Sequence, residues 1–122
     1  MNLEIRSDGF EGFTKRALAR AKKLDAGEKI QPSFGITFES AREMLQLLTV
    51  ERTRLLETVR TKHLSMSALA VLLKRDPKSV RRDVKKLEEY GIVRLREQIN
   101  PGHGRVKIVE PVAKKVELRA SF

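Results

Sequence analysis

Cysteine is absent from the 122 residues, which excludes disulfides, thiolate zinc sites and thiol nucleophiles at the outset. Histidine occurs twice, at His63 and His103, and neither is spaced with a carboxylate as a metal pair would be. Tryptophan is missing and Tyr90 is the single tyrosine, so there is little material for stacking the bases of a single strand. Glycine-rich phosphate loops are missing too: the segment "NPGHGR" has two glycines but no following lysine and hydroxyl residue. The adjacent Glu88 and Glu89 point about 100° apart on a helix, which suits solvation rather than acid–base chemistry. No apolar window approaches the roughly 18 residues of a membrane span. The start "MNLEIRSDGFEGF" lacks the charged head and long apolar run of a signal peptide. These absences predict a cytoplasmic protein that is no enzyme, carries no cofactor or metal, and has no membrane partner.

What the chain has in excess is positive charge. Lys and Arg number 26 against 16 Asp and Glu, giving +10 and a pI near 10.3. The excess is uneven: residues 65–122 carry +7 and residues 1–64 carry +3. Such a surface concentrates polyanions, and the shortage of aromatics favours double-stranded over single-stranded nucleic acid. At this length one hydrophobic core with appendages is expected.

Phe10, Phe13, Ala17, Ala21 and Leu24 recur at three- and four-residue spacing and predict a helix from about Phe10 to Asp25, capped by Ser7 or Asp8 and closed by Gly27. Its apolar stripe either docks on the core or dimerises; the spacing serves both. "EKIQPSFG" reads as a linker, with a short strand over Ile36–Phe38 after it. Ser40 and Glu43 have capping-box spacing before Met44, Leu45, Leu47 and Leu48. Thr49 is expected to cap a helix carrying Leu55, Leu56 and Val59, and Ser67 one carrying Leu69, Ala70, Leu72 and Leu73.

The stretch "DPKSVRRDVKKLEEYGIV" is bracketed at both ends, with Asp76 at the N-cap, Pro77 at the first helical position and Gly91 past the end. Val80, Val84 and Leu87 share one face, while Lys78, Arg82 and Lys85 project oppositely with Ser79, Arg81 and Lys86 beside them. Bases come first and Glu88 and Glu89 last. That order opposes the helix macrodipole, at about 0.3–1 kcal/mol per exposed charge. Its sign implies that something outside the helix wants the N-terminal half positive. Two helices joined by a short turn, the second basic, predict a helix-turn-helix whose second helix enters the DNA major groove. Val93 to Val109 alternates around "NPGHG" as a β-hairpin, a wing carrying Arg94, Arg96, His103, Arg105 and Lys107, and Val116, Leu118 and Ala120 suggest a last strand.

The segment "MSALAVLLKRDPKSVRRDVKKLEEYGIVRL" resembles the winged helix-turn-helix of small prokaryotic transcriptional regulators related to the MarR and ArsR groups. The longer order, with "FTKRALARAKKLDAGEKI" and "ITFESAREMLQLLTVERTRLLETV", is similar to MarR-like or antitoxin-like archaeal and bacterial regulators. That resemblance implies a dimer on a repeated operator, with Pro77–Tyr90 in successive major grooves, and it admits a toxin protein as a further partner. Such helix pairs often place glycine in the turn where this chain has Lys74 and Arg75, so a longer or reshaped turn is expected here.

The expected fold is mainly α with a small β-hairpin wing, a winged helix-turn-helix with an N-terminal helical extension. Residues 1–40 form the helix and linker for docking or dimerisation, and residues 41–122 the DNA-binding domain with its C-terminal strand. The expected sites are Lys78, Ser79, Arg81, Arg82, Lys85 and Lys86 on the helix, and Arg94, Arg96, His103, Arg105 and Lys107 on the wing. The expected function is an operator-binding repressor acting as a homodimer on double-stranded DNA. An antitoxin built on the same module, an RNA-binding protein and a protein-interaction winged helix are the alternatives.

Overall fold

A computed structural model describes residues 2–30, 34–102 and 104–122. In chain order the elements are β1 (Asn2–Arg6), α1 (Gly9–Asp25), β2 (Phe34–Thr37), α2 (Ala41–Leu47), α3 (Val50–Thr61), β3 (Leu64–Ser65), α4 (Met66–Leu73), α5 (Pro77–Glu89), β4 (Val93–Asn100), β5 (Gly104–Pro111) and β6 (Lys115–Arg119). The chain divides into two compact units, residues 1–46 with 115–122, and residues 47–114. The boundary thus falls some residues after the expected one.

In the first unit β1 is the central strand, parallel to β2 on one side and β6 on the other. Leu3 and Ile5 are buried while Asn2, Glu4 and Arg6 alternate outward, a period-two pattern that the sequence reading passed over. The last strand, expected to complete the winged domain, instead joins β1, and the Ser7 hydroxyl accepts the Ser121 N–H at 2.9 Å to tie the chain end down. Parallel pairing needs a crossover, which α1 supplies between β1 and β2. The strand expected over Ile36–Phe38 lies at Phe34–Thr37.

α1 covers the expected residues and ends at Gly27, whose φ of 76° lets Glu28 N–H reach back to Lys23 O at 3.0 Å. Its apolar stripe stays largely exposed within the unit, with Phe13 and Ala17 lining a cavity beside Arg6, Gly35 and Thr37. Phe10 and Leu18 are 73% and 60% exposed, and Gly9 is the one buried residue among the described positions of the helix. The side that does meet neighbouring chain is polar: Arg16 pairs with Asp8 and donates to the Thr37 hydroxyl at 3.0 Å.

The second unit runs α3, β3, α4, α5, β4, β5, with the three strands in one antiparallel sheet of order β3-β5-β4. This is a winged helix-turn-helix, as expected. Leu55 and Val59 from α3, Leu69 and Leu73 from α4, Val80, Val84 and Leu87 from α5, and Val93 and Val109 from the sheet form its core. Thr49 caps α3 through its hydroxyl, which accepts from Arg52 N–H at 3.3 Å. α4 begins earlier than expected: Ser65, still extended at the end of β3, caps it by accepting from Ala68 N–H at 3.1 Å. Ser67 lies inside the helix.

Candidate nucleic-acid interface

The turn between α4 and α5 sets where the basic helix points. Lys74 adopts φ 55°, ψ 46°, a left-handed conformation, and it alone does so among the described non-glycine residues. Arg75 N–H bonds to Ala70 O at 3.1 Å and Lys74 N–H to Val71 O at 3.2 Å. This is the same helix stop that ends α5 at Gly91, where Ile92 N–H reaches Leu87 O at 2.9 Å. A lysine therefore occupies a glycine conformation, and the turn keeps its length instead of growing. The strain of roughly 1–2 kcal/mol for an L-residue there is carried by the two hydrogen bonds and by the salt bridges that follow.

Asp83 anchors α5 from below. It is a carboxylate on the helix's buried side, accepting from Arg52 Nε of α3 at 3.0 Å and from Arg75 Nη1 of the turn at 2.5 Å. Arg75 also reaches Glu51 at 3.4 Å, and Arg52 donates to Leu47 O at 3.0 Å. The hydrogen bond to Asp83 raises the Arg75 pKa further above its ordinary value. Two of the basic residues near the site are thus structural, and this bolt was missed in the sequence. The signal for it was an acid placed between Val80 and Val84 on an otherwise apolar face.

With Asp83 turned inward, the outward face of α5 is positive. Lys78, Arg81, Arg82, Lys85 and Lys86 are exposed and Ser79 is partly so. Lys86 leans toward the helix end, 4.0 Å from Glu89 and over the Tyr90 ring at 5.9 Å. Lys78, Arg81, Arg82 and Lys85 form no ion pair among the described residues. Helix propensity does not require four such uncompensated charges, and they repel one another.

The wing divides by face. Register pairs Ile99 with Arg105 and Glu97 with Lys107 on one side of the hairpin, and Arg94 with Glu110 and Arg96 with Ile108 on the other. Arg105 and Lys107 join Arg81, Lys85 and Glu88 of α5 and Ser65 to Ser67 at the start of α4 around an open cleft of about 540 Å³. Arg105 also sits 3.3 Å from Glu97. Arg94 and Arg96 lie on the reverse face and donate to the buried Glu110 at 2.7 and 3.4 Å, with His63 Nδ1 at 3.7 Å. Burial works to raise the Glu110 pKa, but the hydrogen bonds from these two arginines outweigh it and hold the carboxyl below its ordinary value. His103 lies outside the described residues. The structure therefore brings together Arg81, Lys85, Arg105 and Lys107 and sets Arg94 and Arg96 apart from them. Among the described residues no group of three His, Cys, Asp or Glu could hold a metal, and no helix is long and apolar enough to cross a membrane.

A basic helix held by a three-element salt bridge, beside a basic hairpin face, defines the winged helix-turn-helix class. Within it, the chain belongs to the HVO_A0114 family, which it matches over residues 47–116. It is similar to a solved structure described as a possible transcriptional regulator from Methanosarcina mazei Go1, at 27% identity and a TM-score of 0.51, over 61% of this chain and 64% of that one. The chain thus spans under two thirds of that protein's length. A second similar structure is a domain from Mycobacterium bovis described as a homodimeric winged helix-turn-helix DNA-binding domain of a possible ArsR-family regulator. That likeness has 12% identity and a TM-score of 0.47, over 62% of this chain and 73% of that one. No curated protein matches the chain.

Proposed function

We propose that this protein is a transcriptional regulator that binds double-stranded DNA in a sequence-specific way as a homodimer, repressing by occupying an operator that overlaps a promoter. The observation that carries this reading is the outward face of α5, where Lys78, Arg81, Arg82 and Lys85 stand exposed without ion-pair partners while Asp83 is turned inward to Arg52 and Arg75. B-DNA's major groove admits a helix, and arginine can bond guanine O6 and N7 together, worth about 1–3 kcal/mol of discrimination. Arg105 and Lys107 supply phosphate contacts from the hairpin face that shares the cleft with α5. Arg94 and Arg96, committed to Glu110, contribute field more than contacts.

A-form RNA has a deep, narrow major groove closed to a helix, so the same surface on RNA would bind by charge alone. The test is fluorescence anisotropy against DNA from upstream of the protein's own gene, a scrambled duplex of equal length and duplex RNA, at several salt concentrations. The reading expects a preference of about 10³ or more for a cognate duplex, with affinity falling steeply as salt rises. Equal binding to all three would overturn it.

A further inference from the structure

α1 leaves its large apolar residues in water. Phe10 is 73%, Phe13 55%, Leu18 60% and Leu24 63% exposed, an arrangement that marks an interaction surface when the residues are contiguous. Phe10 and Phe13 already stack, with ring centroids 6.4 Å apart. The stripe is centred away from Arg16, which is held to Asp8 and Thr37, although its edge at Phe13 and Ala17 also lines the cavity over Gly35 and Thr37.

The sequence of the helix says what covers that stripe. Placed on a heptad, Phe10, Ala17 and Leu24 fall at d, Thr14 and Ala21 at a, Phe13 and Arg20 at g, and Leu18 and Asp25 at e. Every exposed large apolar side chain of α1 is then at d, e or g. Leu18, which sits off the simple stripe, finds a place that a docking face would not give it.

Charge selects both the partner and its direction. In a parallel pair of identical helices each g residue meets the e residue of the next heptad on the other chain. Phe13 then meets Leu18 of a second copy, and Arg20 meets Asp25. Twofold symmetry repeats both contacts. An antiparallel pair would instead set e against e and g against g, so that Arg20 meets an apolar ring or its own copy and Asp25 gains no cation. Neither Arg20 nor Asp25 has an ion-pair partner among the described residues, so both are free for this use.

We infer that α1 pairs in parallel with α1 of a second copy, along about 25 Å of helix, and that this seam is the homodimer interface. The inference rests on the homodimer reading above and adds the surface and orientation to it. An isologous contact of this kind closes on itself and stops at two chains.

Because the chain has no cysteine, engineered thiols report on the seam without background. Ala21→Cys, at an a position, should form an intermolecular disulfide rapidly with copper-phenanthroline, and Lys22→Cys, on the outer side, at least about tenfold more slowly. Sedimentation should give twice the 13.9 kDa chain mass. Arg20→Asp should weaken the dimer at least about tenfold, and Arg20→Asp with Asp25→Arg should restore it. Both residues are exposed, so the fold tolerates the swap, which circular dichroism checks. A dimer in which Ala21→Cys cross-links no faster than Lys22→Cys, or in which the double swap fails to restore association, overturns the α1 seam and leaves the homodimer standing. A single-chain mass overturns both, and neither result touches DNA binding, which anisotropy reads separately.

Discussion

Two residues in the second unit are held against their own preference, and each gives a measurable consequence. Asp83 satisfies Arg52 and Arg75 at once, so Asp83→Ala removes the carboxylate that two largely buried guanidinium groups share. Breaking such a cluster from one side costs about 3–5 kcal/mol, and urea unfolding should register a loss of that order; a change below 1 kcal/mol would mean that the bolt carries no weight. Lys74 is the reverse case, a side chain in a left-handed backbone that glycine adopts freely. Relief of roughly 1–2 kcal/mol of strain, less the 0.5–1 kcal/mol of extra chain entropy that glycine loses on folding, leaves Lys74→Gly more stable by about 0–1.5 kcal/mol. A destabilised variant would show that the lysine side chain compensates its own strain.

At the scale of elements, the sequence showed what it could show locally. α5 was legible because Pro77 and Gly91 bracket it and its apolar face repeats at helical period, and the hairpin because Val93, Leu95, Val106 and Ile108 alternate around a Pro-Gly turn. β1 was legible too, in the alternation of Leu3 and Ile5, yet two apolar positions in five residues make a weak pattern. What local sequence could not carry was partnership across distance. Nothing near β6 says that it pairs with β1 more than a hundred residues away, and nothing near Arg94 or Arg96 says that Glu110 would claim both. Strand register decides the faces of the wing, so Arg105→Ala should reduce DNA affinity and lower the salt slope by about one, while Arg94→Ala leaves that slope unchanged. An equal effect of the two substitutions on DNA binding would contradict the division. Arg94 instead belongs to an acid-sensitive contact. The folded pKa of Glu110 is depressed, so its stabilisation is fully present above the ordinary glutamate pKa, near 4.5, and is lost as pH falls through the lower folded value. Removing Arg94 should therefore flatten the fall in thermal stability below about pH 4.5; an unchanged acid limb would mean that Glu110 does not report on the wing.

Over the whole molecule, the charge is concentrated where the fold places the basic helix. Residues 47–114 hold 16 Lys and Arg against 8 Asp and Glu, which is +8 of the chain's +10. Several of those cations are paired inside the unit, Arg52 and Arg75 sharing Asp83 and Arg94 and Arg96 sharing Glu110. The uncompensated remainder includes Lys78, Arg81, Arg82 and Lys85, so a net charge spread through the sequence becomes a directed field in the structure. Substituting Arg82 and Lys85 together tests this most directly, because neither supports the core or the turn. The measurement is an anisotropy titration of Arg82→Ala/Lys85→Ala against the parent on the same cognate duplex at fixed salt, with circular dichroism to confirm that helicity is intact. Loss of affinity by more than about tenfold is the predicted result, and equal affinity of the two proteins would contradict the assignment of α5 as the helix that reads DNA.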